Sequence, residues 1–294
     1  MFFEDLWEAL SDALLDTLKI AAFLFLSYLL MELLEHKSGK KSENIIKNAG
    51  RVGPLIGGLL GALPQCGFSA AAAGLYAGGL LTRGTLIAVF LSTSDEMLPI
   101  MLSGMANGAV RPLQLLSLLC IKIVCAVIAG FAFDLIFKKR APEQHIGELC
   151  EHEGCSCGEH GILISSLLHT AKVALFILLT TFAINLAVIY IGLDNIGAVL
   201  HSVPVVGELV AAAVGLIPNC ASSVVITELY IGGAITASEL LSGLFVGAGV
   251  GLLVLFRTNR SIRENLVITA MLYFSGVLLG LLVGATGLAS LLGL

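Results

Sequence analysis

Three groups of residues in this chain have types and spacings suited to chemistry. The first is Ser92-Thr93-Ser94-Asp95-Glu96, set inside an otherwise apolar stretch. Adjacent carboxylates at membrane depth cost a few kcal/mol each on insertion scales, so such pairs usually mark an ion or proton path. Pro99 lies four residues after Asp95 and has no N–H to give to the Asp95 carbonyl. Carboxylates, hydroxyls and a freed carbonyl form a hard-oxygen set suited to a divalent cation such as Mn²⁺. A helix end at the membrane interface would explain the pair without function. The patch lies well in from Arg83 and before another apolar stretch, which argues against that.

The second group is a matched pair of breaks, Pro64-Gln65-Cys66-Gly67-Phe68-Ser69 and Pro218-Asn219-Cys220-Ala221-Ser222-Ser223. Proline removes a helical hydrogen bond, and open backbone at membrane depth is tolerated only where it is buried in protein or lines a cavity. Gln65, Ser69, Asn219, Ser222 and Ser223 offer neutral oxygens, half-helix ends offer dipole charge, and Cys66 and Cys220 add soft thiols. One break alone reads as a tight turn with a small buried cysteine. Two in corresponding places read as a transporter's binding site. Glu228 follows the second break and has no carboxylate counterpart in the first, where Gly74 stands; Asp95 in turn aligns with Gly249. A composite site of Asp95, Glu96 and Glu228, with help from Thr227 and Asn185, is one reading; Glu228 as a proton carrier, or merely paired with a buried hydroxyl or amide, are the others.

The third group is Cys150-Glu-His152-Glu-Gly-Cys155-Ser-Cys157-Gly-Glu-His160, with His145 nearby. Thiolate and imidazole suit Zn²⁺, Cu⁺ and other soft ions. The spacing is not that of a regular zinc finger, and the glycines favour a flexible metal collector or sensor over a rigid site. An inert linker is the plain alternative. His36 reads as an interfacial residue, Cys120 and Cys125 as packing residues, Lys122 as an ion partner for a carboxylate, and the glycines of 243–251 as points of close helix approach.

The elements that must position these groups are membrane helices. The chain has 294 residues, 57% hydrophobic and 13% charged, with a mean hydropathy of +0.97. Soluble domains carry about 25% charged residues, so lipid must be the solvent here. The apolar runs are too long and continuous for β-barrel strands. They fall at 13–35, 52–63, 66–80, 84–104 and 112–137, then, after a polar loop at 138–168, at 169–191, 205–217, 220–234, 239–256 and 265–292. The second and third of each set are too short for a hydrocarbon core of about 30 Å and read as half-helices or re-entrant hairpins. Residues 1–12 carry Glu4, Asp5 and Glu8 in place of a basic leader, and Phe3, Leu6, Trp7 and Leu10 at helical spacing predict a short interfacial helix.

The two sets repeat. Thr17-Leu-Lys19-Ile-Ala-Ala-Phe23 reads against Thr170-Ala-Lys172-Val-Ala-Leu-Phe176, and Gly61-Ala-Leu-Pro64-Gln-Cys66 against Gly215-Leu-Ile-Pro218-Asn-Cys220, at nearly one offset. Leu75-Tyr76-Ala-Gly78-Gly79 likewise matches Leu229-Tyr230-Ile-Gly232-Gly233. The segment count per repeat is odd, which turns the second copy upside down. With the 36–51 loop cytoplasmic, all of the sixteen Lys and Arg except Lys19, Arg111 and Lys122 lie on that side, while the 192–206 and 235–239 loops have none. The positive-inside rule then places both termini outside and the 138–168 loop in the cytoplasm of a bacterial inner membrane. The expected fold is an all-α polytopic protein of about ten helical segments in two inverted repeats. Its parts are an interfacial helix at 1–12, one repeat at 13–137, the loop at 138–168 and the second repeat at 169–294.

The Pro-Cys breaks, the Ser-Thr-Ser-Asp-Glu patch and the Cys/His-rich loop resemble a bacterial family of ten-transmembrane heavy-metal exporters, over about residues 13–292. Its members are often labelled manganese transporters or arsenic efflux proteins. A more distant likeness is to organoarsenical permeases, which also carry a proline–cysteine motif. The resemblance implies export of a metal or metalloid without fixing the ion. No G-x-x-x-x-G-K-[ST] phosphate loop is present, so an ion or proton gradient is the expected energy source. The leading expectation is a proton-coupled exporter of a divalent metal, Mn²⁺ first, holding it on Asp95, Glu96 and Glu228. An arsenite or organoarsenical permease using Cys66 and Cys220 is the rival, and a membrane metal sensor built on the loop is the reading from another class. No His lies in the membrane near either cysteine to serve as a base, so an enzyme is not expected. The expected partners are lipid, the metal ion and protons, with no nucleic acid and with homo-oligomerisation left open. No tightly bound cofactor is expected beyond Zn²⁺ or another soft metal at the loop.

Overall fold

The computed structural model describes residues 52–63, 66–94, 96–106, 108–137, 162–191 and 205–287, together with scattered positions between 7 and 29. The described positions from 7 to 29 are helical, with Trp7 exposed and Ala13, Thr17, Leu24 and Tyr28 buried. The helices that follow are α1 (Val52–Gly61), α2 (Cys66–Ala77), α3 (Arg83–Ser92), α4 (Met97–Ala106), α5 (Pro112–Ile136), α6 (Ile162–Ile191), α7 (Val206–Gly215), α8 (Cys220–Ile231), α9 (Ala237–Val246), α10 (Val250–Thr258) and α11 (Ile262–Ala285). No strand occurs among the described residues. Among the described residues, five stretches are long and apolar enough to cross a membrane: Arg83–Ala106, Pro112–Ile136, Ser166–Ala183, Ala237–Thr258 and Ile262–Ala285. The chain is an all-α, multi-pass membrane protein.

The helix series of the first half recurs in the second. Helices α2 and α8 each have 12 residues and begin at the cysteine of a Pro-x-Cys break; α3 and α9 each have 10 and follow a threonine cap. The side-chain oxygens of Thr82 and Thr236 accept from Thr85 N and Glu239 N, relieving backbone donors at the helix starts. Asp134 reinforces the first cap, accepting from Thr82 Oγ1 at 2.7 Å and from Gly84 N at 2.9 Å. Glu239 reinforces the second, accepting from Thr236 N at 2.6 Å.

Burial separates inner from outer helices. All of Gly84–Ser92 in α3 and all of Ala237–Val246 in α9 are buried. Helices apolar around their whole circumference belong in the interior. Helix α3 lies between α1 and α5, and α9 between α7 and α11. Helices α5 and α11 turn Leu113, Leu116, Ile128 and Leu135, and Leu266, Phe274, Leu278 and Leu282, outward, as lipid-facing spans do. Between the halves the packing is exchanged: α10 lies against α2, and α8 against α4. A cluster ties the halves at one end, where Arg83 pairs with Glu264 at 2.7 Å and Tyr76 Oη donates to the same carboxylate oxygen at 2.5 Å.

One expectation needs correction. The stretches 84–104 and 239–256, read from sequence as plain spans, are each broken midway. Helix α3 ends at Ser92 and α4 starts at Met97; α9 ends at Val246 and α10 starts at Val250. Pro99 therefore sits in the first turn of α4, where its missing N–H has no helical partner to lose. Serine, threonine and glycine make the breaks, since hydroxyls compete for helical carbonyls and Gly249 adopts φ 51°, ψ −137°. Cys120 also departs from expectation: it is exposed on α5 rather than packed, while Cys125 is half-buried.

Close approach of α7 and α9 needs glycine: a methyl group on Gly215 would run into the backbone carbonyl of Gly243, which cannot swing aside. Gly215→Ala should therefore destabilise the detergent-purified protein by about 1–3 kcal/mol. Gly247→Ala, whose added methyl meets nothing nearer than 3.6 Å, should melt close to wild type. Thermal unfolding of both variants checks the packing.

Candidate functional site

The two mid-helix breaks and the second Pro-x-Cys break converge. A small cavity, with about 10 Å³ of space for a water's centre, is lined by Thr93 and Ser94 from the α3–α4 connection. Asn219, Cys220, Ser222 and Ser223 line it from the start of α8, and Leu244, Gly247 and Gly249 from the α9–α10 break. That volume admits about one water or one dehydrated ion. A larger cavity of about 180 Å³ lies between α1, α2 and α3, but Ile56, Leu60, Phe68, Leu75 and Val89 make it apolar and unsuited to an ion.

The hydroxyls around the small cavity are oriented by the backbone. Thr93 Oγ1 donates to Val89 O at 2.7 Å, Ser92 Oγ donates to the same carbonyl at 3.0 Å, and Ser94 Oγ donates to Ser92 O at 2.9 Å. Across the cavity, Ser222 Oγ donates to Asn219 O and Ser223 Oγ to Cys220 O, each at 2.8 Å. Each hydroxyl has one proton, and each is committed to a carbonyl. What these groups keep for a ligand is oxygen lone pairs. The wall is thus an acceptor surface, suited to a cation or to a species that brings its own hydroxyl protons. Asn219 caps α8, its side-chain oxygen accepting from Ala221 N at 3.3 Å, and the buried Cys220 supplies a thiol.

Behind this wall stands a residue that the sequence had marked only as an ion partner. Lys122, near the middle of α5, is 0% exposed. Its ammonium donates to Thr93 O at 2.5 Å and to Leu244 O at 2.7 Å, the ends of α3 and α9. The signal for it was present: a lone lysine in an apolar span is costly and by default functional.

The other expected site residues distribute unevenly. Ser69 is fully buried on α2, beside Gly251 of α10. Glu96 lies half-buried in the α3–α4 connection. Glu228 is exposed, eight residues along α8 from Cys220 and so about 12 Å from it at 1.5 Å per residue, and is not among the residues that line the cavity. Thr227 is buried and donates to Ser223 O at 2.7 Å. Gln65, Asp95 and the side chains of Cys66 and Asn185 lie outside the described residues, as do Cys150, His152, Cys155, Cys157 and His160. Among the described residues no group of three or more His, Cys, Asp and Glu stands ready to hold a metal.

The break beside the cavity depends on Gly249, whose φ of 51° and ψ of −137° form a pair essentially restricted to glycine. Gly249→Ala should lower stability by about 1–3 kcal/mol through backbone strain, and it should do so without any side chain being lost. Melting curves of Gly249→Ala alongside Gly247→Ala, which keeps an ordinary φ of −64°, separate strain from crowding.

No curated protein and no solved structure matches the chain. A family model does match, over residues 3–189, which takes in the first half, the Cys/His-rich segment and the start of the second half. With membrane-spanning helices broken around a small polar cavity and more than half of its length matched, the chain belongs to the family described as "Putative, 10TM heavy-metal exporter".

Proposed function

We propose that the chain is a secondary active exporter that carries a heavy-metal species across the bilayer through the cavity at Thr93, Ser94 and Cys220. The observation that carries this reading is the meeting, at one enclosed polar point, of breaks from both halves of the chain. Discontinuous helices in corresponding places are how secondary transporters build sites at the bilayer midplane. Two inverted repeats rocking about that point would give alternating access. The recurrence of helix lengths in the two halves supports this, as does the bias of Lys and Arg toward one side.

Two substrate classes fit the family. Mn²⁺ would be held by oxygen atoms of Thr93, Ser94, Asp95 and Glu96, and the carboxylates would exchange metal for protons. Arsenite or a trivalent organoarsenical would bind through Cys220, its hydroxyls donating to the lone pairs left by Thr93, Ser94, Ser222 and Ser223. The described wall suits the second class in its ligand chemistry, and a cavity of about one water's size must widen to take an arsenic hydroxide. Its lining brings together a soft thiol, Cys220, and the hydroxyl oxygens of Thr93, Ser94, Ser222 and Ser223. In either case the Cys150–His160 segment would gather metal on the cytoplasmic side, and the termini would lie outside a bacterial inner membrane.

Proteoliposomes of known orientation, offered Mn²⁺, Zn²⁺, Co²⁺ or arsenite with a pH dye inside, test this. The expected result is saturable arsenite flux, reduced at least about tenfold in Cys220→Ser, as loss of one soft ligand predicts. Mn²⁺ flux with counter-moving protons, insensitive to Cys220→Ser but lost in Asp95→Asn with Glu96→Gln, would move the assignment to the divalent ion. Flux of neither would leave the chain a sensor, and deleting residues 143–160 would then abolish its response.

A further inference from the structure

The Lys122 ammonium sits where an inorganic cation would. It is fully enclosed and donates to backbone carbonyls from opposite halves of the chain, Thr93 O and Leu244 O. The Phe245 ring lies beside it, with its centroid at 5.9 Å. Leu244 O belongs to the last turn of α9, where Ala248 N, four residues on, bonds Val246 O instead, and Thr93 is the C-cap of α3. Each helix C-terminus carries about half a negative charge, so the place where two of them converge attracts a cation. Unwound carbonyls and half-helix C-terminal ends are also the groups with which broken-helix transporters coordinate monovalent cations.

We propose that Lys122 is a tethered substitute for a bound monovalent cation, clamping the ends of α3 and α9 together and thereby holding the cavity in shape. The asymmetry of the halves supports this. At the place on α11 that corresponds to Lys122 stands Gly276, against which Val246 and Ser242 pack so closely that no side chain fits. One cation serves both ends, and only one half provides it. Lys122 is a positioning residue here: it reaches the cavity through Thr93 and Leu244, which line it. The cation's place is independent of the transport reading; its effect on flux rests on that reading.

The test uses the purified full-length chain in detergent. Wild type and the variants Lys122→Ala and Lys122→Met are melted in Na⁺, K⁺ or Li⁺ chloride and in N-methylglucamine chloride at equal ionic strength. Wild type should melt alike in all four. Lys122→Ala should melt about 5–10 °C lower in N-methylglucamine, as loss of a buried charge's partners predicts, and recover most of that in Na⁺ or K⁺. Lys122→Met fills the space without charge and should stay low in every salt. In proteoliposomes the flux of Lys122→Ala should require the same cation that restores its melting. Equal melting of Lys122→Ala in all salts, or wild-type melting of Lys122→Met, would overturn the proposal. Should Lys122→Ala not survive purification without Na⁺ or K⁺ yet survive with either, that difference is itself the expected rescue. Absence of wild-type flux for every substrate would defeat the transport reading alone, and the melting series would still decide the clamp.

Discussion

In hydrocarbon no water is at hand for a backbone carbonyl, so a helix interrupted at mid-membrane must find donors within the protein. That constraint organises the centre of this molecule. Val89 O, at the end of α3, receives Thr93 N and the hydroxyls of Ser92 and Thr93. Ser92 O receives Ser94, and Thr93 O and Leu244 O receive Lys122. At the start of α8, Asn219 O and Cys220 O receive Ser222 and Ser223. The hydroxyl-rich runs at these breaks are first of all the reason the chain can be broken there.

Function grows from the same arrangement. Hydroxyl protons committed to carbonyls leave lone pairs facing the cavity, and a capped helix start holds Cys220 against it. The surrounding packing keeps the geometry fixed: α3 and α9 are wholly enclosed, and glycines at their contacts bring backbone against backbone. Each broken span packs in part against the helix that follows the Pro-x-Cys break of the other half, α4 on α8 and α10 on α2, so a displacement of one half is felt at both breaks.

Much of this could be read from the residues, for identifiable reasons. Length and apolar continuity gave the membrane helices, and the Pro-x-Cys breaks announced themselves because proline cannot continue a helix. Thr93, Ser94, Asn219, Cys220, Ser222 and Ser223 were named from sequence and do share one cavity. The breaks at Thr93–Glu96 and Gly247–Gly249 were missed, because both lie inside runs whose hydropathy alone suits an unbroken span. Glu228, marked by its charge, is exposed further along α8, because helical rise separates it from the cysteine that starts the helix. Lys122 was seen as an ion partner, but its bonds to the carbonyls of Thr93 and Leu244 could not be foreseen, because hydropathy does not show where α3 and α9 end.

The central claim is that a heavy-metal species rests on Cys220 among hydroxyl oxygens. X-ray absorption at the metal or arsenic edge tests it most directly, on the loaded protein with residues 143–160 deleted so that the Cys/His segment contributes nothing. The account predicts a sulfur neighbour within a mostly oxygen shell, with the sulfur contribution lost in Cys220→Ser. A spectrum unchanged by Cys220→Ser would contradict it and place the bound species elsewhere in the chain.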